Sequence, residues 1–211
     1  MPALDLRTDG ACLCTGAAER QLVALEDALA SQPAGRAGLR VHGDSALADL
    51  LGADSPIGRL AARALAPSAR PVRVVLFDKT PATNWALGWH QDRTIAVTER
   101  RDVVGFGPWS TKAGIQHVEP PFELIERMVT LRIHLDPVPA DNAPLLVAPG
   151  SHRLGRVAVA EIASVVERCG RVACLAERGD VWIYSTPIIH ASAASSGSTR
   201  RVLQVDRKSV V

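Results

Sequence analysis

Two regimes of hydrophobic spacing divide the chain. In residues 17–31 the apolar positions fall at Leu22, Leu25 and Leu29 among alanines, the 3.6-residue period of an amphipathic helix. A second helical stretch is predicted around 45–65. Within it Asp54-Ser55-Pro56 marks a helix start, because a proline in the first turn gives up an N–H that has no partner there anyway. From about residue 71 the period shortens to two. Residues 72–77 read as a strand, and Leu87–Val97 as a strand pair or one bent strand. In Met128–Leu135, Val129, Leu131, Ile133 and Leu135 share one face and Thr130, Arg132 and His134 the other. Leu145–Val147, Asp180–Tyr184 and Arg201–Val205 are further short strands, punctuated by Pro, Gly, Asp and Ser. Helices first and many short antiparallel strands afterwards predict an α+β protein that is mainly β, a helical layer packed on one sheet of a β-sandwich or jelly roll.

The expected organisation is one domain over 1–211, with a helical N-terminal region over 1–70 and a jelly-roll core over 71–211. Residues 98–127 interrupt the strand pattern with glycines, prolines, Trp109 and His117. A structureless connection of this length is usually functional, so it is read as a lid or substrate-recognition insert. Trp109 and His117 are its candidate substrate contacts.

Composition narrows the function classes. Apolar residues make up 47% and charged residues 22% of the chain, as in an ordinary soluble protein. A formal net charge of +2 gives no electrostatic argument for nucleic acid or a membrane surface. No apolar run is long enough for a membrane span, and the first residues lack the apolar stretch of a signal peptide, so a cytoplasmic location is expected. Cys12, Cys14, Cys169 and Cys174 match no zinc spacing and are expected as free thiols.

The chemistry is carried by His90-Gln91-Asp92 and His190. Two imidazoles and a carboxylate form the ligand set that holds non-heme Fe(II) on one face and leaves positions open for O2 and a co-substrate. Strand alternation puts His90 and Asp92 on one side, about 6.6 Å apart, and turns Gln91 away. His190 follows the strand VWIYS and supplies the third ligand. Beyond it stand Arg200 and Arg201, of which alternation allows only one to face the pocket: Arg201 goes with Leu203 and Val205, Arg200 with Val202 and Gln204. An arginine there offers a two-pronged donor for a carboxylate, and Ser192 a hydroxyl to the same group.

WHQD, the segment DNAPLLVAPGSHRLG (141–155) and the segment HASAASSGSTRR (190–201) resemble the phytanoyl-CoA dioxygenase family of Fe(II)/2-oxoglutarate oxygenases, well over 70–211 and weakly before it. The resemblance implies a double-stranded β-helix core, with His90, Asp92 and His190 as metal ligands. It also implies that the arginine eleven residues after the distal histidine holds the C5 carboxylate of 2-oxoglutarate, which favours Arg201 over Arg200, with Ser192 assisting and Lys79 touching the co-substrate. Arg132 lies where some members place a pocket-lining tryptophan, and is a candidate substrate contact. The carboxylate at Asp92, where halogenases of the superfamily carry a small residue, implies oxygenation. The implied activity is Fe(II)-, 2-oxoglutarate- and O2-dependent hydroxylation of a small molecule with release of succinate and CO2. The rival reading is a non-catalytic β-sandwich that binds metal and 2-oxoglutarate without turnover. A cupin-type oxygenase working without 2-oxoglutarate would need neither Arg201 nor Ser192.

Overall fold

The structure, a computed structural model, describes residues 3–34, 36, 38–80, 83, 85–194 and 199–209. In chain order the elements are β1 (Ala11–Cys14), α1 (Leu22–Leu29), β2 (Leu39–Arg40), α2 (Ser45–Leu50), α3 (Pro56–Ala62), β3 (Arg70–Lys79), β4 (Leu87–His90), β5 (Ile95–Val97), β6 (Trp109–Lys112), β7 (Ile115–Val118) and α4 (Phe122–Glu126). They continue with β8 (Met128–His134), β9 (Leu145–Val147), α5 (Ile162–Cys169), β10 (Val172–Cys174), β11 (Val181–Ser185), β12 (His190–Ser192) and β13 (Arg200–Lys208). One sheet runs β1-β11-β8-β13-β3-β2, a second β10-β9-β12-β4, and a small third β5-β7-β6, with antiparallel pairings throughout. The two larger sheets are the halves of a jelly roll, or double-stranded β-helix.

Alternation along the central strands decides what the fold encloses. Val129, Leu131 and Ile133 of β8, Val181 and Ile183 of β11, and Leu203 and Val205 of β13 join Leu22, Leu25, Leu29, Leu47, Ile57 and Leu60 in one apolar layer. The helices therefore cover the outer face of the six-stranded sheet. The opposite faces of the same strands carry Thr130, Arg132 and His134, and Arg200, Gln204 and Asp206, all buried. The polar face points inward, between the sheets, and gives the protein a polar interior. Trp182, Tyr184, Leu145, Val147 and Ile188 fill its apolar end. α5 closes the outside of the smaller sheet, where Ile162, Val165 and Val166 meet Ala148, Ile189 and Trp89.

Several local expectations are corrected. The helix anticipated around 45–65 is two helices, because Pro56 opens α3 at its first position and Ser55 Oγ accepts from Gly58 N–H at 2.9 Å to cap it. Gly58 sits so close to the turn between the helices that a Cβ there would lie 1.9 Å from Gly52 O. Residues 98–127 are not a structureless loop. β6 and β7 form a hairpin whose turn residues, Ala113 (φ 50°) and Gly114 (φ 77°), both adopt the left-handed region that two-residue hairpins use. That hairpin extends β5, and α4 leads into β8. α5 and the edge strands β1, β2 and β10 stand outside the sequence expectations. No helix among the described residues is long and apolar enough to cross a membrane.

Candidate metal centre

His90 ends β4 and lies directly opposite His190 of β12 in antiparallel register, with ring centroids 4.3 Å apart. Asp92 follows two residues on. It lies past the end of β4 rather than on a continuing strand, which corrects the picture of one bent strand through 97. One donor atom from each of His90, Asp92 and His190 falls within 4.8 Å of the others, the one such three-residue cluster among the described residues.

The backbone prepares both imidazoles. His90 Nδ1 bonds Gly88 O at 2.8 Å and His190 Nδ1 bonds Ile188 O at 2.9 Å. A carbonyl only accepts, so Nδ1 carries the proton in the neutral rings and each Nε2 presents a lone pair. Burial holds the His190 pKa down at about 4, with the His90 ring lowering it further against the pull of Asp92. Burial alone would raise the Asp92 carboxyl; Arg73 and the two imidazoles outweigh it and keep the group below the usual carboxylate range. Arg73 Nη2 donates to Asp92 Oδ2 at 3.0 Å, and its Nε to Asp206 Oδ2. Asp206, raised by burial, also accepts from Thr130 Oγ1 at 3.1 Å. Two imidazoles with Nδ1 tied to backbone carbonyls and an ionised carboxylate on one side of a cavity are a suitable donor set for a divalent transition metal.

Gln91 turns away, as alternation requires, and clamps the site from behind. Its Nε2 donates to Gly155 O (3.0 Å) and Pro187 O (2.9 Å), and its Oε1 accepts from Val157 N–H (2.9 Å). It thereby ties the segment between the His90 and Asp92 ligands to the approach to β12. Trp89 likewise faces away and packs under α5. His152 is a turn residue whose Nε2 contacts Arg7 O at 3.3 Å.

The ligands face a cavity of about 450 Å³ whose opposite wall is cationic. Arg132, Arg200 and Lys79 line it and are all buried. Arg132 lies over the Phe77 ring (5.2 Å) and donates to Gln204 Oε1 at 2.8 Å. Arg200 is held by carbonyls, Asn142 O at 3.0 Å and Ala143 O. Lys79, opposite Arg200 in the β3–β13 register, donates to Trp85 O (2.8 Å), Ser192 Oγ (3.3 Å) and Ala193 O (3.3 Å). Among the described residues none of the three forms an ion pair, and Arg132 Nε and Arg200 Nε have no partner. Burial, reinforced by the neighbouring cations, pushes the Lys79 ammonium down to about 8 and Arg200 to about 10. His134, on the same face of β8, is held down at about 3 by burial, and neither ring nitrogen is bonded. Buried charges without counter-charge are costly, so this wall suits an anionic ligand.

Arg201 is the main correction. It points to the helix side with Leu203 and Val205. It grips Asp136 with Nε at 3.0 Å and Nη2 at 2.8 Å, and reaches Glu26 of α1 at 2.9 Å. Its partner on the pocket side is Arg200. The reason appears in the fold: β8 turns its apolar face to the helices and its polar face inward. On β13 the strand face with Leu203 and Val205 must then leave the pocket, taking Arg201 with it. Trp109 lies under Arg100 (5.4 Å) and lines neither this cavity nor the one beside it. His117 lines the adjoining cavity. Arg73, Gln204, Asp206 and Arg40 were missed; polar side chains on the inward face of apolar strands are the sign that marks them.

A family model described as phytanoyl-CoA dioxygenase matches residues 60–202. No curated protein matches the chain. Among solved structures, the non-heme α-ketoglutarate-dependent epimerase SnoN from nogalamycin biosynthesis is 18% identical with a TM-score of 0.71, covering 96% of this chain and 77% of that one. EctD from S. alaskensis with bound Fe is 19% identical (TM-score 0.68; 97% and 74% covered). HygX from Streptomyces hygroscopicus, with nickel and 2-oxoglutarate bound, is 14% identical (TM-score 0.61; 98% and 88% covered). At these identities the likeness is one of fold.

Proposed function

The chain belongs to the phytanoyl-CoA dioxygenase family, and on that premise we propose that it is an Fe(II)- and 2-oxoglutarate-dependent oxygenase that hydroxylates a C–H bond of a small molecule. One observation carries the reading: the donor set His90, Asp92 and His190 shares its cavity with Lys79, Arg132 and Arg200, cations that form no ion pair among the described residues. 2-Oxoglutarate carries two carboxylates, so a co-substrate held at the metal site by one end would need an anchor for the other. Arg200 and Lys79 with Ser192 are suited to that role, and Arg201 is not, being committed to Asp136 and Glu26. Metal-bearing and 2-oxoglutarate-bearing proteins of the same fold support the assignment.

His90, Asp92 and His190 would hold Fe(II), which with 2-oxoglutarate would supply the oxidising power, O2 reduction being coupled to decarboxylation of the co-substrate into succinate and CO2 with one oxygen atom going to substrate. The chain's own residues do the rest. Gly88 O and Ile188 O orient the imidazoles, and Arg73 keeps Asp92 ionised and aimed. Phe77 and Leu145 supply apolar surface to the cavity lining. Halogenases of the superfamily carry a small residue where this chain has Asp92, so the carboxylate there supports oxygenation over halogenation. SnoN, named an epimerase, is a reminder that the same cofactor set serves other outcomes at carbon.

The test is anaerobic addition of Fe(II) and 2-oxoglutarate, read by the metal-to-ligand charge-transfer absorption, then O2 and assay of succinate. Absorption followed by succinate formation supports the oxygenase. Absorption without succinate turns the assignment to the non-catalytic binder. Neither signal overturns both.

A further inference from the structure

The metal cavity shares a wall with a second one of about 640 Å³, because Arg40 and Arg73 line both. This second cavity lies between the β2–β3 edge of the large sheet and the β5–β7 sheet built by the insert. Its lining includes Arg40, His42, Arg73 and His117 and, among the described residues, no aspartate or glutamate. We propose that Arg40 and His117 form a subsite for an oxyanion, a carboxylate or a phosphate ester, carried by the substrate whose C–H bond is presented at the metal. This rests on the oxygenase reading and adds a substrate class to it.

Four observations converge on these two residues. Arg40 pairs with Val75 across the edge, and Leu39 beside it packs with the helix layer, so alternation directs the Arg40 guanidinium to the cavity face. Arg73 is already neutralised by Asp92 and Asp206, whereas Arg40 has no ion pair among the described residues, and its Nε is buried without a partner. His117 is fully buried, with Nδ1 bonded to Ile115 O at 3.0 Å and Nε2 buried and unpartnered. Burial first, then Arg40, Lys112 and Arg73, hold the His117 imidazole below its ordinary pKa. The site thus holds a cation and a neutral ring with an unbonded Nε2. An oxyanion bonded to Arg40 offsets that cation and draws a proton onto Nε2, which then donates to the same group. The location fits a substrate handle: the cavity adjoins the one holding His90, Asp92 and His190 through Arg40 and Arg73 without including those ligands in its own lining, and it is bounded by the hairpin in which a recognition element was expected.

The experiment uses the Zn(II)-loaded protein saturated with 2-oxoglutarate, so that the Lys79–Arg132–Arg200 wall is occupied. Inorganic phosphate, butyrate and, as neutral control, 1-butanol are titrated at constant ionic strength while the imidazole ¹⁵N resonances are followed, with His117 assigned by His117→Phe. The expected result is a saturable shift of His117 Nε2 toward the protonated value with phosphate or butyrate and none with butanol. The anion that gives it identifies the ester or the acid. Arg40→Gln should weaken the shift at least fivefold and Arg40→Lys should recover some of it. No saturable shift with either anion, an equal response to butanol, or an unchanged midpoint in a folded Arg40→Gln overturns the subsite. If 2-oxoglutarate itself does not bind, the oxygenase reading fails, while the His117 titration on the Zn(II)-loaded protein still decides the subsite.

Discussion

Arg73 and Asp92 are bonded at 3.0 Å across the cavity wall, and the same guanidinium reaches Asp206, its cross-strand neighbour on β13. One arginine thus serves two buried carboxylates, one of them a candidate metal ligand. Arg73→Met leaves both acids without a counter-charge, and one then retains a proton. Metal affinity should fall by about 10- to 100-fold, the usual cost of removing a group that orients a ligand. Titration of the variant with Co(II), read by visible absorption, checks this; an affinity equal to wild type would show that Asp92 needs no partner.

His90→Ala and His190→Ala each remove one of three donors. Tight Fe(II) binding should be lost in both, with the folded circular dichroism spectrum retained. Metal content after anaerobic loading and desalting provides the readout.

Arg200 and Arg201 should separate cleanly. Arg200→Gln removes a charged donor from the cavity, and the 2-oxoglutarate Kd should rise by roughly 10- to 100-fold. Arg201→Gln should leave that Kd within about twofold. It breaks the half-exposed bridge from β13 to Asp136 and Glu26, so its cost should appear as about 1 kcal/mol of stability. Calorimetric titration and thermal melts on both variants test the pair together, and the reverse pattern would restore Arg201 as the anchor.

Co-substrate binding should weaken at alkaline pH. Burial and the neighbouring Arg200 and Arg132 lower the Lys79 pKa to about 8, so the free protein loses this positive charge as pH rises through that value. An anion binds the protonated form better, so affinity falls above about pH 8. In Lys79→Met the step should vanish. The same shift acts on stability with the opposite sense: between about 8 and the unfolded value of 10.5 the unfolded chain holds more protons, so this group's contribution becomes more favourable as pH rises.

Gln91→Ala removes three hydrogen bonds, two of them buried, and takes the Gln91 side chain away from Val157 N–H and two carbonyls. The expected loss is about 3 kcal/mol, or roughly 6–12 °C in Tm for a chain of this size. A melt within about 2 °C of wild type would deny the clamp its role.

Much of this protein is legible in its sequence. Residue types point to the metal chemistry, because two imidazoles and one carboxylate are the donor set typical of non-heme Fe(II) with positions left open. The period-two pattern of Met128–Leu135 set two unlike strand faces, and Asp54-Ser55-Pro56 set a helix start, since caps and alternation are local physics. What the sequence could not decide was which strand face is inside. Alternation sorted Arg200 from Arg201 but assigned no direction to either. That assignment required the helical layer, which draws Leu203 and Val205 outward by burying them against Leu25 and Ile57 and leaves Arg200 facing the metal ligands. The partners of Arg73, the clamp at Gln91 and the wall shared through Arg40 likewise join residues distant in sequence. Each depends on sheet register and packing, which local spacing does not encode.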